Sequence, residues 1–382
     1  MTSGYAAGLA AERVCIFAQH ARTGLGDLVM RNGLFTLVRR AFPNARSTLV
    51  VGSNDAEDFD EFLSRHCPVD DVMACPPCDA GPPTEGDGAW DKFRAELRGR
   101  DFDACVVDAG TLALHAGIAA EAGIPVRVGV LRGHPEEELL TAAAPIVARG
   151  GGLADLADYL DAYAAALGVP PTPLDAVVPP FPFEREGPPL DLPHPRFALH
   201  LGGGTYWNRR WPLPSYVELC ERLLTTVGGS IVLIGTDEHV EHTQLLAAVD
   251  HRVRDRIHEL GEVSLARTAT VVTDCDLFFG SDSGPMHIAV ALGAETVTLY
   301  GPADGVLFWE HVYPGHHPVG RRWPCHVMPH DWPTRDRAPC EHGCRYQVRL
   351  DQPEYPRCVA DLTVDEVYDA ITAVLRRQPV AQ

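Results

Sequence analysis

The segment from Ser281 to His287, which reads SDSGPMH, has the residue types of a turn that binds an anion. It follows the apolar run DLFFG, and Gly284 and Pro285 are residues that commonly open a helix. The first N–H groups of a helix have no partner within it, and its N-terminus carries about +0.5 of an elementary charge. The segment is therefore predicted to bind phosphate, with a capped turn that holds no ligand as the alternative.

Three side chains of this segment could take part in that chemistry. Ser283 offers a hydroxyl group to a pyrophosphate, whereas the carboxylate of Asp282 would repel one. We therefore expect Asp282 to cap the helix by accepting backbone N–H groups. His287 lies in the first turn of the helix, where it is either a packed histidine or a ligand contact.

A second glycine-rich segment runs from His200 to Pro212 and reads HLGGGTYWNRRWP. Glycines let the backbone approach a ligand closely, and Arg209 and Arg210 could each bind a phosphate through two N–H groups. The chain has 32 Lys and Arg against 52 Asp and Glu, so two adjacent cations after such a turn are informative. They favour an anionic ligand here.

A third segment, from Thr23 to Met30, reads TGLGDLVM. Gly24 and Gly26 bend the chain after the first predicted strand, and Asp27 begins the following helix. The Asp27 carboxylate either stabilises the positive N-terminus of its helix or is a catalytic group that faces the phosphate site across a cleft.

Four of the eleven cysteines lie close together with the spacing C-x14-C-x3-C-x13-C: Cys325, Cys340, Cys344 and Cys358. Four thiolates can close a tetrahedral site, and the proline-rich segment around them lacks the periodicity to build its own core. We expect a structural zinc or iron here, with reduced thiols as the alternative. Three histidines could replace a cysteine that does not bind: His326, His330 and His342. The CPPC pair, Cys75 and Cys78, is too isolated to form a second site.

These segments must be positioned by an alternation of strands and helices. In the first half, periodicity predicts strands at 14–19, 47–52, 103–108 and 126–130, and helices at 26–41, 56–65, 111–123 and 153–167. After a proline-rich linker at 170–195, it predicts strands at 197–201, 230–235, 277–281 and 295–300, and helices at 214–227, 238–249 and 284–292. Such alternation is typical of βαβ units and a parallel sheet.

The pattern predicts an α/β protein with two Rossmann-like domains, over 1–180 and 190–360, that face each other across a cleft. The second domain would include a cysteine-rich excursion at 301–358. A last helix, at 361–378, is expected to pack against the first domain.

Composition excludes several classes of protein. A net charge of -20 disfavours nucleic acid and anionic membrane surfaces as partners unless the chain carries a local basic patch. The longest apolar stretches, at 141–148 and 230–235, are far shorter than the roughly 20 residues that span a bilayer. The N-terminal residues lack the pattern of a signal peptide, so we expect a cytoplasmic protein with reduced cysteines. The oligomeric state stays open.

Together the three segments resemble glycosyltransferase family 9, which contains the ADP-heptose lipopolysaccharide heptosyltransferases and has the GT-B fold. The resemblance rests on GLGD with the helix end RRAFPNA, on RRWP, and above all on GSDSGPMHIAVALGAETVTLYGP. It implies an inverting glycosyltransferase that uses a nucleotide-diphosphate sugar, with ADP-heptose as the favoured donor. It also implies that no catalytic metal is needed.

The resemblance also implies roles for individual residues. Asp27 would be the general base, and Arg209 stands where the family usually has a lysine that stabilises the departing nucleotide. Glu238 falls near the position that contacts the ribose, with Glu241 as its rival. The residues predicted to bind the donor are Thr205, Arg209, Arg210, Glu238, Asp282, Ser283, Gly284, Met286 and His287.

The class of acceptor is predicted mainly from the net charge of the chain. The cysteine cluster is similar to the iron-binding segment of the bacterial autotransporter heptosyltransferases. We expect no extra domain before the first strand, however, and this expectation argues against a protein acceptor. Lipopolysaccharide cores are polyanionic, whereas this chain is acidic and shows no basic amphipathic helix. We therefore expect a small soluble acceptor of aminoglycoside or nucleoside type. The alternatives are a protein or lipopolysaccharide-core acceptor, a nucleotide-sugar 2-epimerase and a non-catalytic binding protein.

Overall fold

The computed structural model describes nine stretches of the chain: 10–18, 24–76, 88–109, 112–149, 154–202, 209–235, 239–301, 312–321 and 355–377. The chain divides into two compact units, Met1–Pro179 and Pro180–Gln382. Each unit contains a sheet of six described strands in which neighbouring strands are parallel. The predicted α/β class is confirmed.

The first unit is built on strands β1 (Arg13–Phe17), β2 (Arg46–Gly52), β3 (Asp71–Cys75), β4 (Ala104–Val107), β5 (Val126–Leu131) and β6 (Ala142–Pro145). Its α-helices are α1 (Leu25–Met30), α2 (Asn32–Ala41), α3 (Ser53–Asp58), α4 (Gly88–Gly99), α5 (Leu112–Glu121) and α6 (Leu156–Leu167). Shorter helical segments are the π-helix Phe62–His66 and the 3₁₀ helices Pro135–Leu139 and Leu174–Ala176.

In the first unit the strand order is β3-β2-β1-β4-β5-β6. Phe17, the last residue of β1, pairs with Val50 on one side and Val107 on the other. Apart from the exposed Arg13, the central strands β1 and β4 are continuous apolar runs, as expected of parallel strands buried on both faces. The chain leaves β1 and β4 toward opposite sides of the sheet, so a crevice opens at their carboxyl ends. We call this place the first-unit edge.

The second unit is built on strands β7 (Arg196–His200), β8 (Ser230–Leu233), β9 (Ile257–Glu259), β10 (Leu277–Ser281), β11 (Thr296–Tyr300) and β12 (His316–Gly320). Its helices are α7 (Leu213–Thr226), α8 (His239–Ala248), α9 (His251–Arg254), α10 (Leu265–Asp274), α11 (Gly284–Ala291), α12 (Arg357–Ala360) and α13 (Val364–Leu375).

In the second unit the strand order is β12-β11-β10-β7-β8-β9, so the connections diverge between β7 and β10. The carboxyl ends of these two strands form the second-unit edge. Gly280 of β10 pairs with His200 of β7 and has a φ of 152°. A Cβ atom on Gly280 would lie 2.2 Å from the carbonyl oxygen of His200, so glycine lets the two strands approach at this edge.

The last helix, α13, belongs to the second unit. Val367, Ile371 and Val374 are buried in that unit's core together with side chains of α7. The helix starts at a capping box in which Glu366 accepts the Thr363 N–H at 2.8 Å. The sequence analysis expected this helix to pack against the first domain, whereas its apolar side lies in the core of the second unit.

Two further differences from the sequence prediction concern a helix that is divided in two and strands that were not predicted. The predicted helix at 26–41 is two helices, α1 and α2, which meet at Arg31. Asn32 and Gly33 follow at that point, and both residue types have low helix propensity. Four strands were not predicted, β3, β6, β9 and β12, and all four are sheet edges. No helix within the described ranges has the length and apolar character needed to cross a bilayer.

Candidate functional site

The second-unit edge brings together two of the segments singled out in the sequence. β7 ends at His200 and β10 ends at Ser281, and Arg209 lies beside the turn that follows β10. Asp282 and Ser283 make that turn, and α11 begins directly after them. Ligands of open α/β sheets bind at this type of position, so the topology supports a ligand site here.

Arg209 and Asp282 form a nearly buried ion pair at this edge. Nη1 of Arg209 lies 3.3 Å from Oδ2 of Asp282 and donates to the Asp282 carbonyl oxygen at 3.2 Å. The two side chains are 14% and 7% exposed. The predicted capping role of Asp282 is wrong, since the N-cap of α11 is Ser283 and the Asp282 carboxylate faces Arg209. Asp282 thus holds the arginine in place.

The Ser283 hydroxyl is engaged within the protein. Its Oγ lies 3.0 Å from Nδ1 of His200 and 3.1 Å from the carbonyl oxygen of Ser281. The N–H groups of Met286 and His287 both donate to the Ser283 carbonyl oxygen. Among the described residues, the N–H groups of Ser283 and Gly284 have no acceptor, so these amides are available to an anion.

Behind this turn lies a buried layer of histidine and tyrosine side chains. Nδ1 of His287 lies 3.0 Å from the Tyr313 hydroxyl, and His316 lies between Thr296 and Tyr300 with contacts of 2.7 and 2.9 Å. Burial, assisted by the neighbouring histidines, lowers the pKa of His316 to about 3. Burial and the charge of Asp282 raise the pKa of Tyr300. His316 and Tyr300 are therefore neutral at physiological pH.

The second arginine of the motif points to a different partner. Arg210 forms an ion pair with Glu241 of α8. Trp211 is buried and donates its Nε1–H to the carbonyl oxygen of Leu362 at 3.0 Å, which anchors the start of α7. Met286 is fully buried, so its side chain packs inside the unit. The motif therefore places Arg209 at the edge and uses its other residues as supports.

The first-unit edge presents Asp27. Its Oδ2 accepts the Gly24 N–H at 2.9 Å, and its Oδ1 lies 4.0 Å from Nη1 of Arg31. The side chain is 35% exposed, so solvent or a substrate hydroxyl can reach it. The carboxylate thus stabilises the start of α1, and one oxygen is left for chemistry.

Arg31 links Asp27 to a second carboxylate. Its Nε donates to Asp108 at 3.0 Å and its Nη1 donates to the Asp27 carbonyl oxygen at 2.7 Å. Burial opposes the charge of Arg31, yet the carboxylates of Asp108 and Asp27 raise its pKa. Tyr163 supports the same edge by donating to the Val107 carbonyl oxygen at 2.9 Å.

A comparison with protein families matches residues 90–321 to Glycosyltransferase family 9 (heptosyltransferase). The match covers more than half of the chain. The chain belongs to glycosyltransferase family 9.

Curated relatives of this family 9 chain include two lipopolysaccharide heptosyltransferases. Lipopolysaccharide heptosyltransferase 2 of Salmonella typhimurium is 34% identical over 98 residues, which span 25% of this chain and 28% of that protein. The matched region is thus little more than a quarter of that relative's length. Lipopolysaccharide heptosyltransferase 1 of Pseudomonas aeruginosa is 27% identical over 300 residues, 75% of this chain and 78% of that protein.

Solved structures confirm the predicted GT-B fold of the family 9 chain. The E. coli ADP-heptose lps heptosyltransferase II superposes with a TM-score of 0.63 at 21% identity, over 96% of this chain and 99% of that one. The iron-containing dodecameric glycosyltransferase TibC from enterotoxigenic E. coli H10407 gives a TM-score of 0.52 at 14% identity, over 96% and 76%.

Several predicted residues of the family 9 chain lie outside the described residues: Thr205, Glu238, Cys78, Cys325, Cys340, Cys344, His326, His330 and His342. Cys358 lies in α12 and is buried in the core of the second unit. The four-cysteine metal site stays a prediction. Sequence reasoning missed the supporting residues of both edges: Arg31, Asp108, His200, Tyr300, Tyr313 and His316. Three of them carried a signal: Asp108 and Tyr300 each end a predicted strand, and His200 opens the second glycine-rich segment.

Proposed function

We propose that this chain transfers a heptose from ADP-heptose to a sugar hydroxyl group with inversion at the anomeric carbon. The observation that carries the proposal is the arrangement at the second-unit edge. There, the N–H groups of Ser283 and Gly284 and the guanidinium of Arg209 offer donors and positive charge to a diphosphate. The heptosyltransferases among its relatives support heptose as the sugar.

On the donor side, the diphosphate would compete with Asp282 for Arg209. As the bond between the anomeric carbon and the phosphate oxygen breaks, negative charge accumulates on the departing ADP. Arg209 and the helix amides stabilise that charge without rearranging, because they are already held by the fold. These groups supply what a divalent cation would otherwise provide, so we expect turnover to persist in EDTA.

On the acceptor side, Asp27 would act as the general base. It takes the proton of the acceptor hydroxyl, whose oxygen forms the new bond to the anomeric carbon on the face opposite the diphosphate. Inversion follows from this single displacement. The Gly24 N–H donates to the Asp27 carboxylate, and Arg31 donates to the Asp27 carbonyl oxygen. These two contacts orient the base.

We propose a sugar of the lipopolysaccharide core as the acceptor, because the curated relatives are lipopolysaccharide and lipooligosaccharide heptosyltransferases. The net charge of -20 favours a second candidate, a small soluble acceptor that carries an amine. Parallel assays with a lipid A–core acceptor and with an aminoglycoside, each with ADP-heptose, separate them. Turnover of the aminoglycoside alone would remove the first candidate.

The donor assignment is tested by thermal unfolding with ADP-heptose, ADP and UDP-glucose. Binding at a hundredfold excess over Kd stabilises a protein by about 2.7 kcal/mol, so a specific donor is readily detected. We expect a rise in Tm with the two ADP compounds and none with UDP-glucose. Consumption of the donor without any acceptor would instead indicate an epimerase, and no binding of any nucleotide sugar would contradict the proposal.

A further inference from the structure

Three side chains of metal-ligating types converge beside the first turn of α8, which also carries Glu241, the rival residue for the ribose contact. His239 and His242 lie three residues apart in the first turn of α8 and so share one face, and Glu259 is the last residue of β9. One ligand atom from each lies within 4.8 Å of the others. Nδ1 of His239 and Nδ1 of His242 lie 3.0 and 3.2 Å from the same oxygen, Oε1 of Glu259.

We propose that His239, His242 and Glu259 form a binding site for a divalent transition-metal cation of the zinc class. Two imidazoles and a carboxylate are a ligand set that zinc accepts, with the remaining position open to water. Ligand atoms about 2.1 Å from a tetrahedral ion lie roughly 3.4 Å apart. The spacing of the three ligand atoms therefore needs only small side-chain shifts to admit an ion.

The three ligands differ in burial, which makes one of them rigid and leaves the other two accessible. The His242 side chain is 0% exposed, so its ring is held by packing, whereas His239 and Glu259 are 54% and 31% exposed. An ion can therefore enter from solvent. The N-terminus of α8 repels a cation by up to about 1 kcal/mol, and the negative charge of Glu259 opposes that repulsion.

An ion here would fasten the first turn of α8 to the end of β9. Glu241 lies between the two histidines on that turn and holds Arg210, so the ion would also fix this ion pair. The inference does not depend on the proposed function, because it rests only on the ligand geometry. It is also separate from the cysteine cluster, since none of its ligands is a thiol.

Titration of the metal-free full chain with Co²⁺ tests the proposal. Thiolate ligands give Co²⁺ an intense near-ultraviolet charge-transfer band, whereas imidazole and carboxylate ligands give only weak visible bands. We expect the wild type to bind one equivalent of Co²⁺ that does not contribute to the thiolate band. His239→Ala should lose that equivalent. The control is His251→Ala, because His251 is 92% exposed and also lies beside a carboxylate, that of Asp250, at 3.2 Å.

Thermal unfolding gives a second measurement. Saturating Zn²⁺ should raise the Tm of the wild type and of His251→Ala by about 5 °C more than that of His239→Ala. Glu259→Gln keeps the test decisive if one variant folds poorly, as judged by circular dichroism. Equal non-thiolate Co²⁺ stoichiometry in the wild type, His239→Ala and Glu259→Gln, or binding through thiolates alone, would overturn the proposal.

Discussion

At the first-unit edge Arg31 pairs with the carboxylates of Asp27 and Asp108, whereas at the second-unit edge Arg209 pairs with the carboxylate of Asp282 beside helix amides that have no acceptor among the described residues. The first edge presents an accessible carboxylate, that of Asp27. The second edge is left with N–H donors and a balanced ion pair. Two similar sheets with the same topology thus offer opposite chemistry, one suited to accepting a proton and the other to binding an anion.

The largest expected effect tests the negative side of this comparison. Asp27→Asn keeps an oxygen that can accept the Gly24 N–H but removes the base, so kcat for sugar transfer should fall by about 10²- to 10⁴-fold. Steady-state kinetics measure it. Asp101→Asn is the matched control, since Asp101 is an 86% exposed carboxylate of the same unit, and it should leave kcat unchanged. A tenfold loss or less in Asp27→Asn would assign the carboxylate to helix capping alone.

Removing Arg209 tests the positive side. Arg209→Ala leaves the Asp282 carboxylate buried without its partner, so the free energy of unfolding should fall by about 3–5 kcal/mol and donor binding should be lost. The double variant Arg209→Ala/Asp282→Asn removes the uncompensated charge. It should regain most of the stability in urea unfolding but not the affinity for ADP. Recovery of ADP affinity in the double variant would show that Arg209 does not bind the diphosphate.

The pH dependence of stability tests the burial of His316 behind the second-unit edge. His316 has a pKa of about 3 in the folded protein against about 6.5 unfolded, so the unfolded chain binds its proton first as pH falls. Stability that is complete above pH 6.5 is therefore lost between pH 6.5 and 3, by about 2 kcal/mol at pH 5. Urea unfolding at pH 7.5 and 5 should show this loss in the wild type and its absence in His316→Gln. An equal loss in both would assign the acid sensitivity to other groups.

The smallest effect separates the two arginines of the motif. Arg210 is 32% exposed and its partner Glu241 is 23% exposed, so their ion pair should contribute about 1 kcal/mol or less. Arg210→Gln should therefore lower the free energy of unfolding by about 1 kcal/mol or less, and it should weaken the affinity for ADP by less than about fivefold. The same measurements on Arg209→Lys give the comparison, because lysine keeps the charge. A loss of ADP affinity in Arg210→Gln as large as in Arg209→Ala would place both arginines on the diphosphate.

Sequence reasoning was most successful where one local pattern decides the structure. The strand at 277–281 and the helix that starts at Gly284 agree with the prediction because a buried apolar run meets a Gly-Pro helix start. All four strands that were not predicted lie at sheet edges. β9 has only three residues and β12 reads HHPVG, so neither carries the apolar run that marks a central strand.

The supporting residues were missed for a different reason. Arg31 and Asp108 are 77 positions apart, and their contact depends on β1 and β4 becoming neighbours. His316 reaches Tyr300 only because β12 lies beside β11. Asp282 was given the wrong partner, since its ion pair with Arg209 joins residues 73 apart. Such pairings follow from topology, which local patterns do not specify.

Gly280 limits how this protein can evolve or be engineered. A side chain there would push β7 from β10 because the His200 carbonyl oxygen occupies the space of its Cβ atom. The width of the donor crevice is thus encoded by a missing methyl group rather than by any polar residue. In a saturation library of this edge, variation at Gly280 should return almost only glycine.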